Sequence, residues 1–454
     1  HLLLAQPLDG DPTPRFEWLV MTSGNRGGEP IAIANEEALE RLAGIADGFL
    51  LHDRETLLRC DDSLCALPCG APQLWRRARG WAPRPVALRR SLARTALAFG
   101  AQQKNTIALG AGDEVVLSPH LGDLDTPEAI EGLERALDRL LRFLALSPEV
   151  AAVDLHPDYV ATRIGRAWAA ARGLPVIAVQ HHYAHAAACL AEHGRETALA
   201  LVFDGTGYGP DGRIWGAELL RADFAGFERL ATFAPAPLPG GDAATLDPRR
   251  QLVGRLVAAG IEPDAAALRR WGLAPDAFDV WRLQIASGLN APWSHAAGRV
   301  FDSVAAALGA TNGAATYDGR PAIRLEALAR RAARAEAVPF VAAERDGLFV
   351  VDWAPLFAQL AEAPPDDPEA FALGFHEAVA TASRRMADYG AARTGLRRVA
   401  LGGGCFMNRL LNELLVPALV RDGFEVLIHR DLPPNDGVIA LGQAVVAGMA
   451  RTIG

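Results

Sequence analysis

The alternation of apolar and polar positions predicts a regular series of strands and helices after about residue 88. KNTIALGAGDEVVLS is typical of two strands joined at a glycine turn, and TPEAIEGLERALDRLLRFLAL of an amphipathic helix that begins at Thr-Pro. The next segments predict a strand, a helix, a strand and a histidine-rich helix that ends at Gly194: EVAAVDL, YVATRIGRAWAAARG, PVIAV and QHHYAHAAACLAEH. Strands and helices that alternate in this way indicate an α/β fold.

The pattern restarts at residue 197 with ALALVFDGTGYGPDGRIWGAELL, which predicts two more strands around glycine turns. A helical insertion follows at about 240–340, and then a long helix near 367–390. The remaining segments predict a strand, a helix, a strand and a last helix: RRVALGG, CFMNRLLNELL, FEVLIHR and DGVIALGQAVVAGMA. Because the order of elements occurs twice, we expect two similar lobes, about 89–196 and 197–454, that face each other across a cleft suited to a nucleotide.

The pattern of residues 1–88 predicts a separate small α/β segment. An apolar run, FEWLVM, precedes the polar turn TSGNRGGEP, and a helix at NEEALERLAGIA and a strand at GFLLH follow. WRRARGWAPRPVAL is rich in arginine and proline, which is typical of a linker, so we place a domain boundary near residue 88.

Composition narrows the class of protein. The 454 residues carry a net charge of −9, which gives no reason to expect nucleic-acid binding. No apolar run reaches the roughly 18–20 residues that cross a bilayer. Five cysteines suit a reducing compartment better than a disulfide framework, so we expect a cytoplasmic protein without a membrane partner. The chain begins at His1 without a methionine, and we expect a fragment or a trimmed chain.

Three histidines lie within five positions at the start of one predicted helix. His181 and His185 are one helical turn apart and can direct their rings at one point. Two imidazoles do not close a metal site, and Asp436, at the start of the last predicted helix, is the best candidate for a third ligand. Two histidines and a carboxylate form a site for iron or zinc with open positions. The alternative is a histidine-rich first turn and an ordinary aspartate helix cap.

Glycines follow two of the predicted strands. Asp204 ends the first strand and is followed by Gly205, Thr206 and Gly207, where backbone N–H groups can approach a phosphate and the carboxylate can hold a magnesium-bound water. A plain Asp-Gly hairpin is the alternative for this segment. The triple glycine at 402–404 leads into a helix, whose N-terminus is a natural anion site. Asn408, one turn into that helix, is close enough to reach a ribose or a base.

Several motifs in a fixed order resemble the HypF family, the carbamoyltransferases of hydrogenase maturation. They are QHHYAH, FDGTGYGPDGRIWGAELL, LPGGDAA, AAGRVFDSVAA, GGGCFMNRLLNELL and LPPNDGVIALGQA, and the likeness spans roughly residues 90–450. MTSGNRGGEP is similar to the TSAN-x-SGEP segment of the YrdC-like domain of that family, with Gly24 and Gly27 in place of alanine and serine. In the resembling family, an acylphosphatase-like domain, a zinc-finger segment and the first half of the YrdC-like domain would precede His1.

The resemblance implies a fold and a reaction. The fold is the end of a YrdC-like α/β domain followed by a two-lobed actin-like ATPase (ASKHA) fold with a helical insertion. In that family the YrdC-like domain makes carbamoyl adenylate from carbamoyl phosphate and ATP with magnesium. The two lobes then move the carbamoyl group to the terminal cysteine thiolate of the partner HypE, and the product becomes a cyanide ligand of the nickel–iron centre.

The resemblance also implies roles for individual residues. It places one divalent metal, zinc or iron, at His181, His185 and Asp436, and catalytic roles at Lys104, Asn105 and Asp204. Nucleotide contacts are expected from the glycine turns and from the amino-terminal piece: Ser23, Asn25, Arg79, Gly205, Thr206, Gly207, Gly403, Gly404 and Asn408.

Two rival functions stay open at this point. A transferase of the same architecture could carbamoylate a small-molecule hydroxyl or threonylcarbamoylate tRNA, although the acidic net charge disfavours tRNA. A protein of another class would bind ATP in the cleft and only dock a partner without catalysis. Because docking alone needs no metal, metal analysis of the purified chain would separate the enzyme from the docking protein.

Overall fold

The computed structural model describes residues 6, 9–11, 18–311 and 313–450, which form two compact units, His1–Asp61 and Asp62–Gly454. Residues 16 and 17 of the predicted apolar run FEWLVM lie outside the described residues. Among the described residues, no helix combines the length and the apolarity that crossing a bilayer requires.

The first unit contains the helix that NEEALERLAGIA predicts, α1 (Asn35–Leu42). Arg41 near its end forms ion pairs with Glu37, one turn earlier, and with Glu29 at 2.7 Å. The predicted strand GFLLH is wrong, because residues 48–52 have no regular secondary structure. A strand needs a neighbour for its backbone hydrogen bonds, and the described part of this unit contains no other strand.

The second unit begins with a two-stranded antiparallel sheet and continues into the first lobe. The lobe has a six-stranded sheet in the order β3-β6-β5-β4-β7-β8, with antiparallel pairs from β3 to β4 and parallel pairs from β4 to β8. The strands are β1 (Leu64–Ala66), β2 (Gln73–Arg76), β3 (Pro85–Ala87), β4 (Ala96–Ala98), β5 (Ala108–Ala111), β6 (Glu114–Leu117), β7 (Val150–Asp154) and β8 (Val176–Val179). The helices are α2 (Pro127–Leu144), α3 (Val160–Ala170) and α4 (His181–Glu192).

The second lobe has a nine-stranded sheet whose main path is β14-β15-β11-β10-β9-β16-β17. The strands are β9 (Thr197–Tyr208), β10 (Ile214–Asp223), β11 (Phe227–Phe233), β12 (Ala236–Pro237), β13 (Trp293–Ser294), β14 (Val341–Arg345), β15 (Leu348–Asp352), β16 (Arg398–Gly402) and β17 (Glu425–Ile428). The insertion carries α5 (Asp242–Leu246), α6 (Pro248–Ala258), α7 (Ala265–Arg270), α8 (Pro275–Ser287), α9 (Ala297–Ala307) and α10 (Arg320–Ala329). The remaining helices are α11 (Ala354–Glu362), α12 (Pro368–Thr394), α13 (Arg409–Arg421) and α14 (Ile439–Met449).

The two lobes repeat one arrangement, which confirms the predicted α/β fold of two similar lobes. In each lobe the first strand, β4 or β9, is flanked on one side by two successive antiparallel neighbours, β5 and β6 or β10 and β11. On its other side lie two successive parallel neighbours, β7 and β8 or β16 and β17. Further strands extend the antiparallel side of each sheet. Several strands were not predicted: β1 to β4 and β11 to β15. Three residues of β4, Ala-Leu-Ala, are too few to show an alternation, and β11 reads FERLATF without a strict period of two.

One helix of each lobe packs against the sheet of the other lobe. The last helix, α14, packs on the first sheet through Leu441, Ala444 and Val445, in one apolar cluster with strand residues of the first lobe. The histidine helix α4 packs on the second sheet, in a cluster that includes Ala200 and Val202. The two helices also touch each other closely, because a Cβ atom on Gly442 would lie 1.9 Å from the carbonyl oxygen of Ala184.

The far end of α4 is held by a buried carboxylate. Glu192 accepts hydrogen bonds from the backbone N–H groups of Arg430 (2.9 Å) and Asp431 (2.8 Å), and its other oxygen lies 2.5 Å from His429 Nδ1. Burial alone would raise the pKa of Glu192, but His429 and the two N–H groups outweigh burial and lower that pKa. Glu192 therefore favours the folded state in its ionised form.

Replacing Glu192 by glutamine is expected to lower the free energy of unfolding at pH 7 by about 1.5–3 kcal/mol, the value of hydrogen bonds to a charged group. A depressed folded pKa contributes stability above the unfolded pKa of about 4.3, and this contribution is lost as the pH falls through the folded pKa. The difference between wild type and Glu192→Gln should therefore shrink in acid. Urea unfolding at a series of pH values measures it, with the exposed Glu196→Gln as control. A difference that does not change with pH would contradict this account.

Candidate functional site

The helix α4 begins directly after the buried strand β8, with Gln180 as its cap. The Gln180 side chain accepts a hydrogen bond from the Tyr183 backbone N–H at 2.8 Å, which fixes the first turn. His181 and His185, both fully buried, lie one turn apart with ring centroids 5.2 Å from each other. The Nε2 atoms of both rings face the same two carboxylates, as the i, i+4 spacing predicts.

Asp204 supplies the first of these carboxylates from β9. Its Oδ2 atom lies 3.3 Å from the Nε2 atom of each histidine. Its Oδ1 atom accepts hydrogen bonds from the backbone N–H groups of Gly205 (2.8 Å) and Gly404 (3.3 Å). Because both predicted glycine turns hold one oxygen of Asp204, the other oxygen is directed at the histidines.

Asp436 supplies the second carboxylate. It lies in a short 3₁₀ turn, Asp436–Val438, immediately before α14. Its Oδ1 atom is 3.6 Å from the Nε2 atom of each histidine. The preceding Asn435 accepts a hydrogen bond from the Gly437 N–H and donates one to the Trp75 carbonyl oxygen at 2.9 Å. The segment that carries Asp436 is thus held against β2, and no sequence pattern predicted this contact.

These four side chains fit a metal ion. Their ligand atoms all lie within 4.8 Å of one another, and the histidine–carboxylate distances are 3.3 and 3.6 Å. Two ligand atoms about 2.0–2.2 Å from a tetrahedral zinc ion are about 3.3–3.6 Å apart, which matches the separation of each histidine from each carboxylate in this cluster. The predicted set of His181, His185 and Asp436 is brought together, and Asp204, predicted as catalytic, joins it.

The charges of the cluster also favour a cation. Burial lowers the pKa of His181 and His185, but the carboxylates outweigh burial and raise both values. Burial raises the pKa of Asp204, yet its hydrogen bonds with the two histidines lower it, and the pKa of Asp436 is lowered as well. The two carboxylates therefore stay ionised and attract positive charge, which protons on the imidazoles or a bound divalent cation can supply.

Asp154, at the end of β7, orients the first histidine. Its Oδ2 atom lies 2.8 Å from His181 Nδ1, and both side chains are buried. A carboxylate at Nδ1 keeps the proton on that nitrogen and leaves Nε2 free to bind a metal. A carboxylate is a usual partner for the second ring nitrogen of a metal-ligating histidine. Asp154 was not predicted as a site residue, although its place at the end of an apolar strand was a usable signal.

The other two predicted catalytic residues lie on the loop after β4. Lys104 Nζ is 2.8 Å from Asp318 Oδ2 of the second lobe, and burial lowers its pKa less than Asp318 and Asp436 raise it. Asn105 is fully buried and donates from Nδ2 to the carbonyl oxygens of Phe99 (2.9 Å) and Ala101 (2.5 Å). Asn105 thus shapes the loop, and catalytic roles for both residues stay predictions.

The glycines of both turns allow close backbone approaches. A Cβ atom on Gly207 would lie 2.3 Å from the His182 ring, and one on Gly403 would lie 2.2 Å from the Phe203 carbonyl oxygen. Gly403 also has φ +95°, which disfavours any other residue, and its N–H donates to the Pro434 carbonyl oxygen at 2.8 Å. The structure therefore gives these glycines a packing role in addition to the predicted nucleotide contact.

Asn408 differs from its predicted position. The glycines lead into a 3₁₀ turn, Gly404–Met407, and Asn408 follows it as the cap of α13 rather than lying one turn inside a helix. Its Oδ1 accepts from the Leu411 N–H at 2.8 Å, and its Nδ2 lies 3.0 Å from His376 Nε2. Burial lowers the pKa of His376 to about 4, so its ring is neutral and can accept this hydrogen bond.

The predicted nucleotide residues of the amino-terminal piece fall in both units. In the first unit Ser23 hydrogen-bonds to Asn25, whose Nδ2 also donates to the Glu29 carbonyl oxygen at 3.0 Å and so closes the turn. In the second unit the exposed Arg79 forms an ion pair with Asp62. Contact of these three residues with a nucleotide stays a prediction.

Comparison with known proteins identifies relatives along the whole chain. Family models described as the second subdomain of the Kae1-like domain of carbamoyltransferases and as the HypF Kae1-like domain match residues 200–443 and 91–192. The Sua5/YciO/YrdC model, described as telomere recombination, matches residues 1–78. The chain is 41% identical to carbamoyltransferase HypF2 of Cupriavidus necator over 96% of this chain and 56% of that protein.

A second Cupriavidus necator protein, the carbamoyltransferase HypF homolog, is 37% identical over 78% of this chain and 92% of its own length. The crystal structure of full-length HypF in the phosphate- and nucleotide-bound form superposes with a TM-score of 0.85 at 34% identity, over 94% of this chain and 66% of that one. The chain spans a little over half the length of several of the relatives that it matches.

Proposed function

The chain belongs to the HypF family of carbamoyltransferases, and from this membership we propose that its two lobes transfer a carbamoyl group to a protein thiol. The donor is carbamoyl adenylate, formed from carbamoyl phosphate and ATP with magnesium. The acceptor is the terminal cysteine thiolate of HypE, and the product is the precursor of the cyanide ligands of a nickel–iron hydrogenase. Residues 1–88 act as part of the adenylate-forming YrdC-like domain, and residues 89–454 as the transferase.

The observation that carries this proposal is the cluster of His181, His185, Asp204 and Asp436, at which elements of both lobes meet. These residues would hold one divalent metal, zinc or iron. A metal with open positions polarises a carbonyl or a phosphate oxygen and stabilises the charge that develops on oxygen during acyl transfer. Asp154 orients the ring of His181, and the N–H groups of Gly205 and Gly404 orient Asp204, so these ligands are positioned by the protein itself.

A pocket beside the cluster supports nucleotide binding. It lies between the insertion helices α9 and α10 and the 3₁₀ turn after β16, and it is mainly apolar with a few polar groups, which suits a base. Its lining residues are Phe301, Ala322, Ile323, Glu326, Gly404, Cys405 and Asn408. Because Gly404 also binds Asp204, a nucleotide in this pocket would have its phosphates near the carboxylate cluster.

The nucleophile comes from outside the two lobes. The attacking form of cysteine is the thiolate, and burial raises the pKa of Cys189 and of Cys405, so both stay protonated. Cys189 also lies within the apolar cluster that joins α4 to the second sheet. This fits a partner protein that presents its own cysteine.

The test is transfer from two donors to matched acceptors. We expect the 454-residue chain to carbamoylate a HypE peptide that ends in cysteine, and to do so more than about tenfold faster from preformed carbamoyl adenylate than from carbamoyl phosphate with ATP. The preformed donor bypasses the activation step, which is the physical reason for the difference. Mass spectrometry locates the added group.

Two controls test whether the reaction needs the thiol and whether it needs the carboxylate cluster. The same peptide ending in serine should stay unmodified, and an Asp204→Asn variant should lose transfer from the adenylate. Carbamoylation of an added alcohol, or threonylcarbamoylation of tRNA, in place of the thiol would favour the rival transferases. No transfer from the adenylate to any acceptor would overturn the proposal.

A further inference from the structure

Arg299, on the first turn of α9, is a buried cation that the metal cluster does not use. Only 7% of its surface is exposed. Its Nη2 atom pairs with Asp302 Oδ2 at 3.0 Å, and that oxygen lies 3.3 Å from Gln251 Nε2. Its Nε atom has no hydrogen-bond partner among the residues that the structure describes. A buried N–H group without a partner is rare, so the side chain has donor capacity to spare.

The guanidinium lies against the glycine turn of β9. A Cβ atom on Gly205 would be 3.3 Å from Arg299 Nη2, and one on Gly298 would be 3.1 Å from the Gly205 Cα atom. The first turn of α9 is therefore in backbone contact with the residue that follows Asp204. Arg299 is next to the place where both glycine turns meet.

Three of the backbone donors expected to bind phosphate at this place are occupied. The N–H groups of Gly205 and Gly404 donate to Asp204, and the N–H group of Gly403 donates to Pro434. Lys104 across the cleft is paired with Asp318. An anion beside Gly205 therefore needs another positive group, and a guanidinium suits phosphate oxygens because its N–H groups form a planar fork.

We propose that Arg299 binds a phosphate group of the adenine nucleotide in the cleft. This inference rests on the proposed nucleotide site and adds the residue that recognises the phosphate. Asp302, itself hydrogen-bonded to Gln251, keeps the guanidinium in place against Gly205 through Nη2, and the phosphate is bound by the same planar fork.

The experiment compares ligands that share the base and differ in phosphate. In wild type, ATP and AMP should bind more tightly than adenosine when titrated in a calorimeter. Arg299→Gln should weaken ATP binding by about 10–100-fold, the range for hydrogen bonds to a charged group, and leave adenosine binding within about twofold. Arg299→Lys should lose most of the ATP affinity as well, because a point charge does not replace the fork.

Two further variants distinguish a loss of phosphate binding from a loss of folding. Arg299→Gln combined with Asp302→Asn leaves no unpaired buried charge, and this double variant should fold and show the same loss of ATP affinity, with adenosine affinity unchanged. Arg255→Gln removes another buried arginine, whose Nη1 donates to the Ala234 carbonyl oxygen at 2.8 Å, and should not alter the ratio of ATP to adenosine affinity. Equal losses for ATP and adenosine, or no loss in the double variant, would overturn the inference. Binding of neither ligand to wild type would overturn the nucleotide site itself.

Discussion

Replacing His185 by alanine is expected to empty the metal site. The substitution removes one of the two imidazoles that face Asp204 and Asp436, and it leaves two carboxylates and a single histidine. Changes of residues that only orient a ligand cost about 10–100-fold in metal affinity, so the loss of a ligand should exceed about 100-fold. Elemental analysis after dialysis, and titration of the metal-free chain with zinc or iron, measure the effect.

The control for this variant lies on the same helix. His193, which caps the end of α4 and lies 2.9 Å from the Ile428 carbonyl oxygen, is outside the cluster, so His193→Ala should keep its metal. Transfer from carbamoyl adenylate should fall together with metal content in His185→Ala and not in His193→Ala. Full metal content in His185→Ala would remove His185 from the site.

Gly442→Ala is expected to lower the free energy of unfolding more than Glu192→Gln does. The added methyl group would lie 1.9 Å from the Ala184 carbonyl oxygen, and both atoms belong to the backbones of packed helices, so α4 and α14 must separate. Overpacking of this kind costs about 3 kcal/mol at the upper end of its range. Ala184 lies between the two metal-binding histidines, so metal affinity should fall as well.

Urea unfolding and metal titration measure both effects of this substitution. Gly226→Ala is the matched control, because an added Cβ atom at Gly226 meets no heavy atom within 4 Å. That variant should change the free energy of unfolding by less than about 0.5 kcal/mol, as surface substitutions do. Equal stability of Gly442→Ala and Gly226→Ala would show that the two helices can move apart without cost.

Local patterns were sufficient to predict much of this molecule. The helix α2 has a long periodic sequence, and the His181–His185 pair follows from helical spacing alone. Asp436 was predicted because a carboxylate at the start of a helix is firmly placed. None of these inferences needed the distance between remote segments.

The remainder depends on long-range packing. Asp204 was predicted to hold a magnesium-bound water and to be catalytic, with a plain hairpin turn as the alternative. Only the pairing of β9 with β16 brings it between the histidines and Gly404. Arg299 carries no local signal that distinguishes a partner of the site from an ordinary buried residue, and the only local signal at Asp154 is its place at the end of an apolar strand. The triple glycine suggested a phosphate turn. In the structure Gly403 is required for packing, because a side chain there would collide with the Phe203 backbone, and the spacing of glycines in the sequence does not reveal this collision.

The packing of α14 on the first sheet has a consequence for the order in which the chain can fold during synthesis. Strand residues such as Val115, Leu117 and Val150 share their apolar cluster with Leu441 and Val445, which the ribosome adds much later. At about 5–20 residues per second, the interval between residues 197 and 438 lasts on the order of 10–50 s. Throughout that interval the first half of the chain presents an uncovered apolar sheet face, which makes the nascent chain a substrate for chaperones until its last helix arrives.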